Sequence, residues 1–185
     1  KPQHLLDVAT GTGDMAFMAD KILHPGMITG IDLSMGMLEV AKRRLADSKV
    51  KYGATIEFLK GDAENLPFGD NSFDAATVTF GVRNFGDLHK GLSEMRRVLR
   101  PGAPIVVLEF TKPRIFPVRQ LFDIYFRHIL PLIGSWISGA GRAYKYLYES
   151  VQVFPDYHHF TDILIKLGYS KANFKVLSAG ICCIY

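Results

Sequence analysis

Cysteine is scarce in this chain of 185 residues: there are two, the adjacent Cys182 and Cys183. Neighbours along a strand point to opposite faces, so these two are not expected to pair with each other. Without a disulfide framework the expectation is a reducing compartment, and the chain reads as cytoplasmic. Long apolar runs are also missing. The longest, Ile129–Ile137, is broken by Pro131, Gly134 and Ser135 and falls far short of the roughly 20 residues that cross a bilayer. No signal-peptide pattern is visible. No large excess of one charge exists either: the net +4 is too mild to argue for a nucleic-acid partner. What is abundant is apolar: 48% of residues are hydrophobic and 22% charged, which excludes a disordered chain and fits one globular domain spanning residues 1–185. The chain opens at Lys1-Pro2 without a Met and stops inside the apolar run Ile181–Tyr185. Both ends read as cuts, with a segment expected upstream.

Apolar runs alternate with amphipathic stretches. Leu5–Ala9 reads as a buried strand followed by a glycine turn. Asp14 is placed to cap a helix whose inward face would carry Met15, Met18, Ala19, Ile22 and Leu23. Met27–Ile31 and Thr55–Leu59 read as strands, separated by a helix that Ser34 can cap, with Leu38, Ala41 and Leu45 inward. Phe73–Phe80 is rich in strand formers. Asp87 can cap a helix carrying Leu88, Leu92, Met95 and Leu99, which Pro101-Gly102 stops. Ile105–Phe110 is apolar on both faces, as a central parallel strand is. Phe174–Val176 and Gly180–Tyr185 would close the sheet. This alternation implies an α/β doubly wound sheet whose ligand crevice lies at the strand C-termini. Residues 112–149 break the rhythm, with Lys112, Arg114, Arg119, Arg127, Arg142 and Lys145 against only Asp123 and Glu149. One reading is a helix with solvated basic ends; the other is a lid over an apolar substrate, or a membrane-facing surface.

The chemistry begins at Asp7-Val8-Ala9-Thr10-Gly11-Thr12-Gly13-Asp14, where Gly11, Gly13 and Ala16 satisfy the G-x-G-x-x-G/A fingerprint. Asp32 follows Gly13 by 19 positions, at the end of the second strand, where an acid can accept from ribose hydroxyls. Alone, these features are compatible with NAD, FAD or S-adenosylmethionine. Asp7 discriminates. Beside a pyrophosphate a carboxylate would be repelled by several kcal/mol in a dry site, whereas beside the ammonium of a methionine moiety it would be attracted. Gly61-Asp62-Ala63 follows the third strand, and Asp62 can accept from an adenine amino group. A glycine loop with acids after strands two and three, in that order, is how a class I S-adenosylmethionine site is built.

The segments Leu6–Asp14, Gly61–Phe68, Phe80–Asn84, Val98–Gly102, Leu108–Pro113 and Tyr146–Val151 together closely resemble the UbiE-type family of quinone-biosynthesis C-methyltransferases, over essentially the whole chain. The first and fourth are common to many methyltransferases; Phe80–Asn84, Glu109–Pro113 and Tyr146–Ser150 are far more specific. The resemblance implies a Rossmann-like class I fold, mostly parallel with an antiparallel C-terminal strand, and S-adenosyl-L-methionine as cofactor. It implies cofactor contacts at Thr12, Asp32, Asp62 with Ala63, and Thr79, which stands where the family usually has Ser and keeps the hydroxyl. It also implies an N-terminal helical segment that closes over the site, with residues 112–150 as an inserted substrate lid.

The implied reaction moves the sulfonium methyl to a ring carbon of a prenylated hydroquinone. An aromatic carbon is a poor nucleophile until the neighbouring phenol loses its proton, so the site needs in-line positioning, low dielectric and charge stabilisation. It needs no metal, and the six His are scattered, His158-His159 reading as a solvated turn or helix start. Arg83 and Asn84, after the fourth strand, are the catalytic candidates. Arg is a poor direct base but can hold a water and stabilise phenolate, and Asn84 can orient it; alternatively Arg83 pairs with Asp87. His128 and Tyr144 are secondary candidates, and Tyr148 and Trp136 are expected to line apolar walls. The favoured substrate is demethylmenaquinol, a naphthoquinol, with a polyprenyl-methoxy-benzoquinol as runner-up. An NAD-dependent oxidoreductase and a non-enzymatic scaffold are the competing classes. Weak peripheral contact with anionic membrane is expected through the basic lid region.

Overall fold

The computed structural model describes residues 2–48, 51–129 and 141–185. Seven strands form one sheet: β1 (His4–Val8), β2 (Met27–Asp32), β3 (Thr55–Lys60), β4 (Ala75–Thr79), β5 (Ile105–Phe110), β6 (Lys175–Leu177) and β7 (Cys182–Ile184). Their order is β3-β2-β1-β4-β5-β7-β6. The first five are mutually parallel, and β7 runs antiparallel to both β5 and β6. Strand order reverses between β1 and β4, and a doubly wound sheet opens its ligand crevice at that point.

The helices are α1 (Asp14–Leu23), α2 (Met35–Ala46), α3 (Leu88–Val98), α4 (Val118–Ile124, continuing into a π turn, Tyr125–Ile129), α5 (Gly141–Val153) and α6 (His158–Lys166). Ser34 caps α2 by accepting from the Met37 amide, and Asp87 caps α3 by accepting from the Lys90 amide. Two cores result. Leu6, Val8, Phe73, Leu92, Met95, Val107 and Phe160 fill one, and Leu5, Ala16, Phe17, Ile28, Leu38 and Phe58 the other.

Four local expectations are corrected. Gly13, not Asp14, is the residue before α1; it is left-handed at φ 84°, and a Cβ there would lie 2.8 Å from the Phe58 ring. Asp14 is instead the first helical residue and pairs with Arg44 at 2.8 Å. The inward face of α1 is Ala16, Phe17, Ala19 and Asp20, while Met18, Ile22 and Leu23 stay exposed. The small alanines let the helix approach the sheet, and buried Asp20 accepts from the Gly53 and Ala54 amides, holding the entry to β3. The fourth strand is shorter than Phe73–Phe80. The Phe73 amide donates to Val98, and Phe80 turns left-handed at φ 54°. In β5, Val107 is buried as expected but Val106 remains open to solvent. Cys182 and Cys183 are both free thiols, half-buried and buried respectively.

Candidate functional site: a cofactor cavity at the strand C-termini

A cavity of about 920 Å³ opens above the C-terminal ends of β1, β2 and β4. That is within the range of small-molecule and cofactor sites. Its wall carries Asp7, Gly11, Thr12, Asp32, Asp62, Ala63, Thr79 and Asn84. Eight of the ten residues singled out from sequence therefore converge on one space; Gly13 and Arg83 are not on its wall.

Gly13 acts one step back: its amide donates to Thr10, closing the turn that turns the glycine loop into α1. Thr12 donates its hydroxyl to Asp14, and its carbonyl accepts from Arg44, which ties the loop to α2. Asp32 is held by the amides of Gly11 (2.9 Å) and Ser34 (2.8 Å), one to each carboxylate oxygen. Each oxygen keeps a lone pair, so the fixed carboxylate can accept two vicinal hydroxyls. Asp62 accepts from the Glu64 amide with Oδ1, and among the described residues its Oδ2 has no partner and can accept from an amino donor.

Asp7 is 1% exposed. The hydroxyls of Thr10 and Thr77 donate to its two oxygens at 2.6 and 2.7 Å. Burial nevertheless pushes its carboxyl up to about 6, the Thr hydrogen bonds opposing and nearby Asp32 reinforcing the shift. A buried acid facing a cavity, with no cationic partner among the described residues, is poised to receive one.

Ala9 and Phe80, at the ends of β1 and β4, are both left-handed, at φ 53° and 54°. Non-glycine residues in that region carry strain that clusters at functional sites. Between them Gly81 lets the two turns touch: a Cβ at Gly81 would stand 2.5 Å from that of Ala9. Met15, Leu33, Met37 and Phe85 add apolar wall that sequence reading had not singled out. Their signal was position alone, just beyond the ends of β1, β2 and β4.

For Arg83 the alternative pairing with Asp87 is corrected. Arg83 does not pair with Asp87, whose carboxylate caps α3. Its Nη1 donates to Glu109 at 2.6 Å and to the Phe80 carbonyl at 2.6 Å, and its backbone amide also donates to Glu109. The guanidinium lies 5.5 Å from the Phe110 ring, and its buried Nε has no partner among the described residues. Glu109, fully buried, additionally accepts from the Phe110 amide. Burial pushes its carboxyl up, with Arg83 opposing. The signal missed in the sequence was an acid in the interior of an apolar strand, which must have a partner. The ion pair holds the 3-10 turn Val82–Asn84, and Asn84 is the residue that reaches the cavity.

Of the secondary candidates, His128 is exposed on the π turn, while Trp136 and the Tyr144 side chain lie outside the described residues. Tyr148 lines a separate polar cleft of about 500 Å³ with Lys112, Arg114, Arg119, Asp123, Gln152, Asp156 and His159, rather than an apolar wall. His158 and His159 are exposed at the start of α6, as expected.

The 3-2-1-4-5-7-6 sheet with its antiparallel β7, together with this cavity, defines a class I S-adenosylmethionine-dependent methyltransferase fold. A solved S-adenosylmethionine-dependent methyltransferase from Aquifex aeolicus has the same fold, with TM-score 0.68 and 19% identity over 98% of this chain and 79% of that one. The chain belongs to the ubiE/COQ5 methyltransferase family, whose model matches residues 1–185. Among curated relatives, a demethylmenaquinone methyltransferase of Bacteroides fragilis is 42% identical over 185 residues, all of this chain and 75% of that one. A ubiquinone/menaquinone biosynthesis C-methyltransferase UbiE of Geotalea daltonii is 41% identical over 182 residues, 98% of this chain and 76% of that one. The chain is accordingly an S-adenosylmethionine-dependent C-methyltransferase.

Proposed function

We propose that the protein methylates a ring carbon of demethylmenaquinol, giving menaquinol. The observation that supports the reading is the cavity itself, whose wall carries a buried acid in β1, a doubly anchored acid at the end of β2 and a third acid just after β3, on three neighbouring strands. Asp7 then faces the ammonium, Asp32 the ribose hydroxyls and Asp62 with Ala63 the adenine, with Gly11, Thr12 and Thr79 shaping the wall and Gly13 the turn. The cofactor supplies an electrophilic methyl. The ring carbon takes it as the sulfur–carbon bond breaks, the sulfur leaves as a thioether, and the ring carbon then loses its proton to restore aromaticity. Asn84 stands on the substrate side, and Arg83 supports it through the turn they share.

The naphthoquinol reading is favoured over the benzoquinol because the Bacteroides fragilis relative carries only the former in its name. Separate assays of the two reduced prenylated quinols with methyl-labelled cofactor should give the higher kcat/KM on demethylmenaquinol. A preference for the methoxy-benzoquinol would reverse the substrate assignment.

The prenyl chain holds the substrate in the bilayer, at about 0.8 kcal/mol per buried CH₂, so the enzyme meets it at the surface. No helix among the described residues is long and apolar enough to cross a membrane. Exposed Ile115, Phe116, Leu121 and Ile124 lie beside Arg119 and Arg127. Arg114, expected to join them, is drawn towards Asp156 at 3.3 Å and stacks on Tyr157. The Ile129–Ile137 stretch lies beyond the described residues except for Ile129. Weak contact with anionic lipid, at ~1 kcal/mol for each nearby Arg, follows. Co-sedimentation with phosphatidylglycerol vesicles should fall as salt rises and vanish in the double variant Arg119→Glu, Arg127→Glu with cofactor affinity intact. Binding that ignores both changes would remove this surface from the account.

A further inference from the structure

We infer that Tyr146 is a substrate-binding residue that, together with Asn84, grips the quinol oxygen next to the methylated carbon; the inference rests on the quinol-methylation reading above. Tyr146 lies on α5, the helix that follows the undescribed part of the basic region. Its hydroxyl donates to Asn84 Oδ1 at 3.1 Å, across 62 positions of chain. Asn84 is itself on the wall of the cofactor cavity, so the bond ties α5 to a cavity-wall residue, although Tyr146 is not on that wall.

The burial pattern argues against a purely structural tyrosine. Tyr146 is 54% exposed and belongs to neither core. An exposed side chain joined by one neutral hydrogen bond adds little to stability, on the scale of 0.5–1.5 kcal/mol. What the pair offers is chemistry. The Asn84 amide keeps N–H donors with no protein partner among the described residues, and the Tyr146 oxygen keeps acceptor capacity. Donor and acceptor side by side match an aromatic hydroxyl. When that hydroxyl ionises, the Tyr146 O–H can turn from Asn84 to the phenolate, so that two donors face the new charge. Preorganised donors at a developing oxyanion are a large catalytic term once bound substrate excludes water from them.

Two neighbouring groups are engaged elsewhere. Arg83 Nη1 is held by Glu109 and Phe80. Tyr148, on the same helix, lines the separate polar cleft. No electrons or co-reactants are needed beyond the methyl transfer already described: the pair holds the oxygen, whose proton passes to solvent water before the carbon attacks.

Tyr146→Phe removes the hydroxyl and keeps the ring on an exposed site, so the fold should be unchanged. S-adenosylmethionine affinity should also be unchanged. The expected result is a tenfold or greater loss of kcat/KM on demethylmenaquinol, with the acid limb of the kcat profile moved to higher pH because phenolate has lost a donor. Adding Asn84→Ala should cost less than the product of the two single losses, since both act on one oxygen. A Tyr146→Phe variant with normal kcat/KM and an unmoved pH profile, beside an active wild type, overturns the inference alone. A wild type that binds cofactor but methylates neither quinol overturns the functional reading, and this inference with it.

Discussion

Arg83→Ala is expected to lose about 3–5 kcal/mol of stability, the scale for stranding one partner of a buried ion pair. Glu109 is fully buried and Arg83 only 11% exposed, so solvent cannot replace the missing guanidinium. Typical domains have only about 5–15 kcal/mol in total, so denaturant titration should find the midpoint drastically lowered. The double variant Arg83→Met, Glu109→Leu removes both charges and should recover most of the loss. If Arg83→Ala melts like the wild type and loses only methyl-transfer rate, the guanidinium acts directly on substrate and the supporting role assigned here is wrong.

Asp7→Asn is expected to stabilise the cofactor-free protein while weakening the cofactor. The folded-state pKa, about 6, lies above the unfolded value near 3.8. The folded state therefore holds this proton more tightly, and the stability it contributes is full below pH 3.8 and lost as pH rises through about 6. At neutral pH the ionised carboxylate costs the empty protein about 3 kcal/mol. An amide can still bond Thr10 and Thr77 and carries no such charge. Wild-type stability should thus rise on acidification from pH 7 to 5, with that component absent in the variant. The cofactor ammonium would repay the ionised state, so at pH 7.5 Asp7→Asn should bind S-adenosylmethionine at least tenfold more weakly. Wild-type affinity should fall as pH drops through about 6, since Asp7 must first lose its proton. Equal affinity in wild type and variant by calorimetry would take the ammonium away from Asp7.

The parts of this fold legible in the sequence were those written in local signals. Ser34 and Asp87 cap where their side chains and the following periodicity required, and Ile105–Phe110 is a strand to the residue. The glycine loop and the acids after β2 and β3 converge because right-handed crossovers deliver successive strand ends to one edge. What the sequence hid was decided by tertiary pairing. Periodicity pointed to Met18 and Ile22 as inward, but two alanines pack closer and Asp20 has backbone donors waiting just before β3. The partner of Arg83 was sought four residues away at Asp87 and lies 26 residues on, at Glu109, because β4 and β5 are neighbours in the sheet. Tyr146 reaches Asn84 across 62 residues, a contact no spacing rule contains.

The central claim is transfer of a methyl group to carbon. The direct test is incubation with carbon-13-methyl S-adenosylmethionine and demethylmenaquinol under reducing conditions, followed by carbon NMR and mass spectrometry of the extracted quinone. One labelled methyl should appear on the ring, at the shift of a carbon bound to an aromatic carbon, with one equivalent of thioether product. A labelled methyl on oxygen, or intact cofactor and unchanged quinol, would contradict the account.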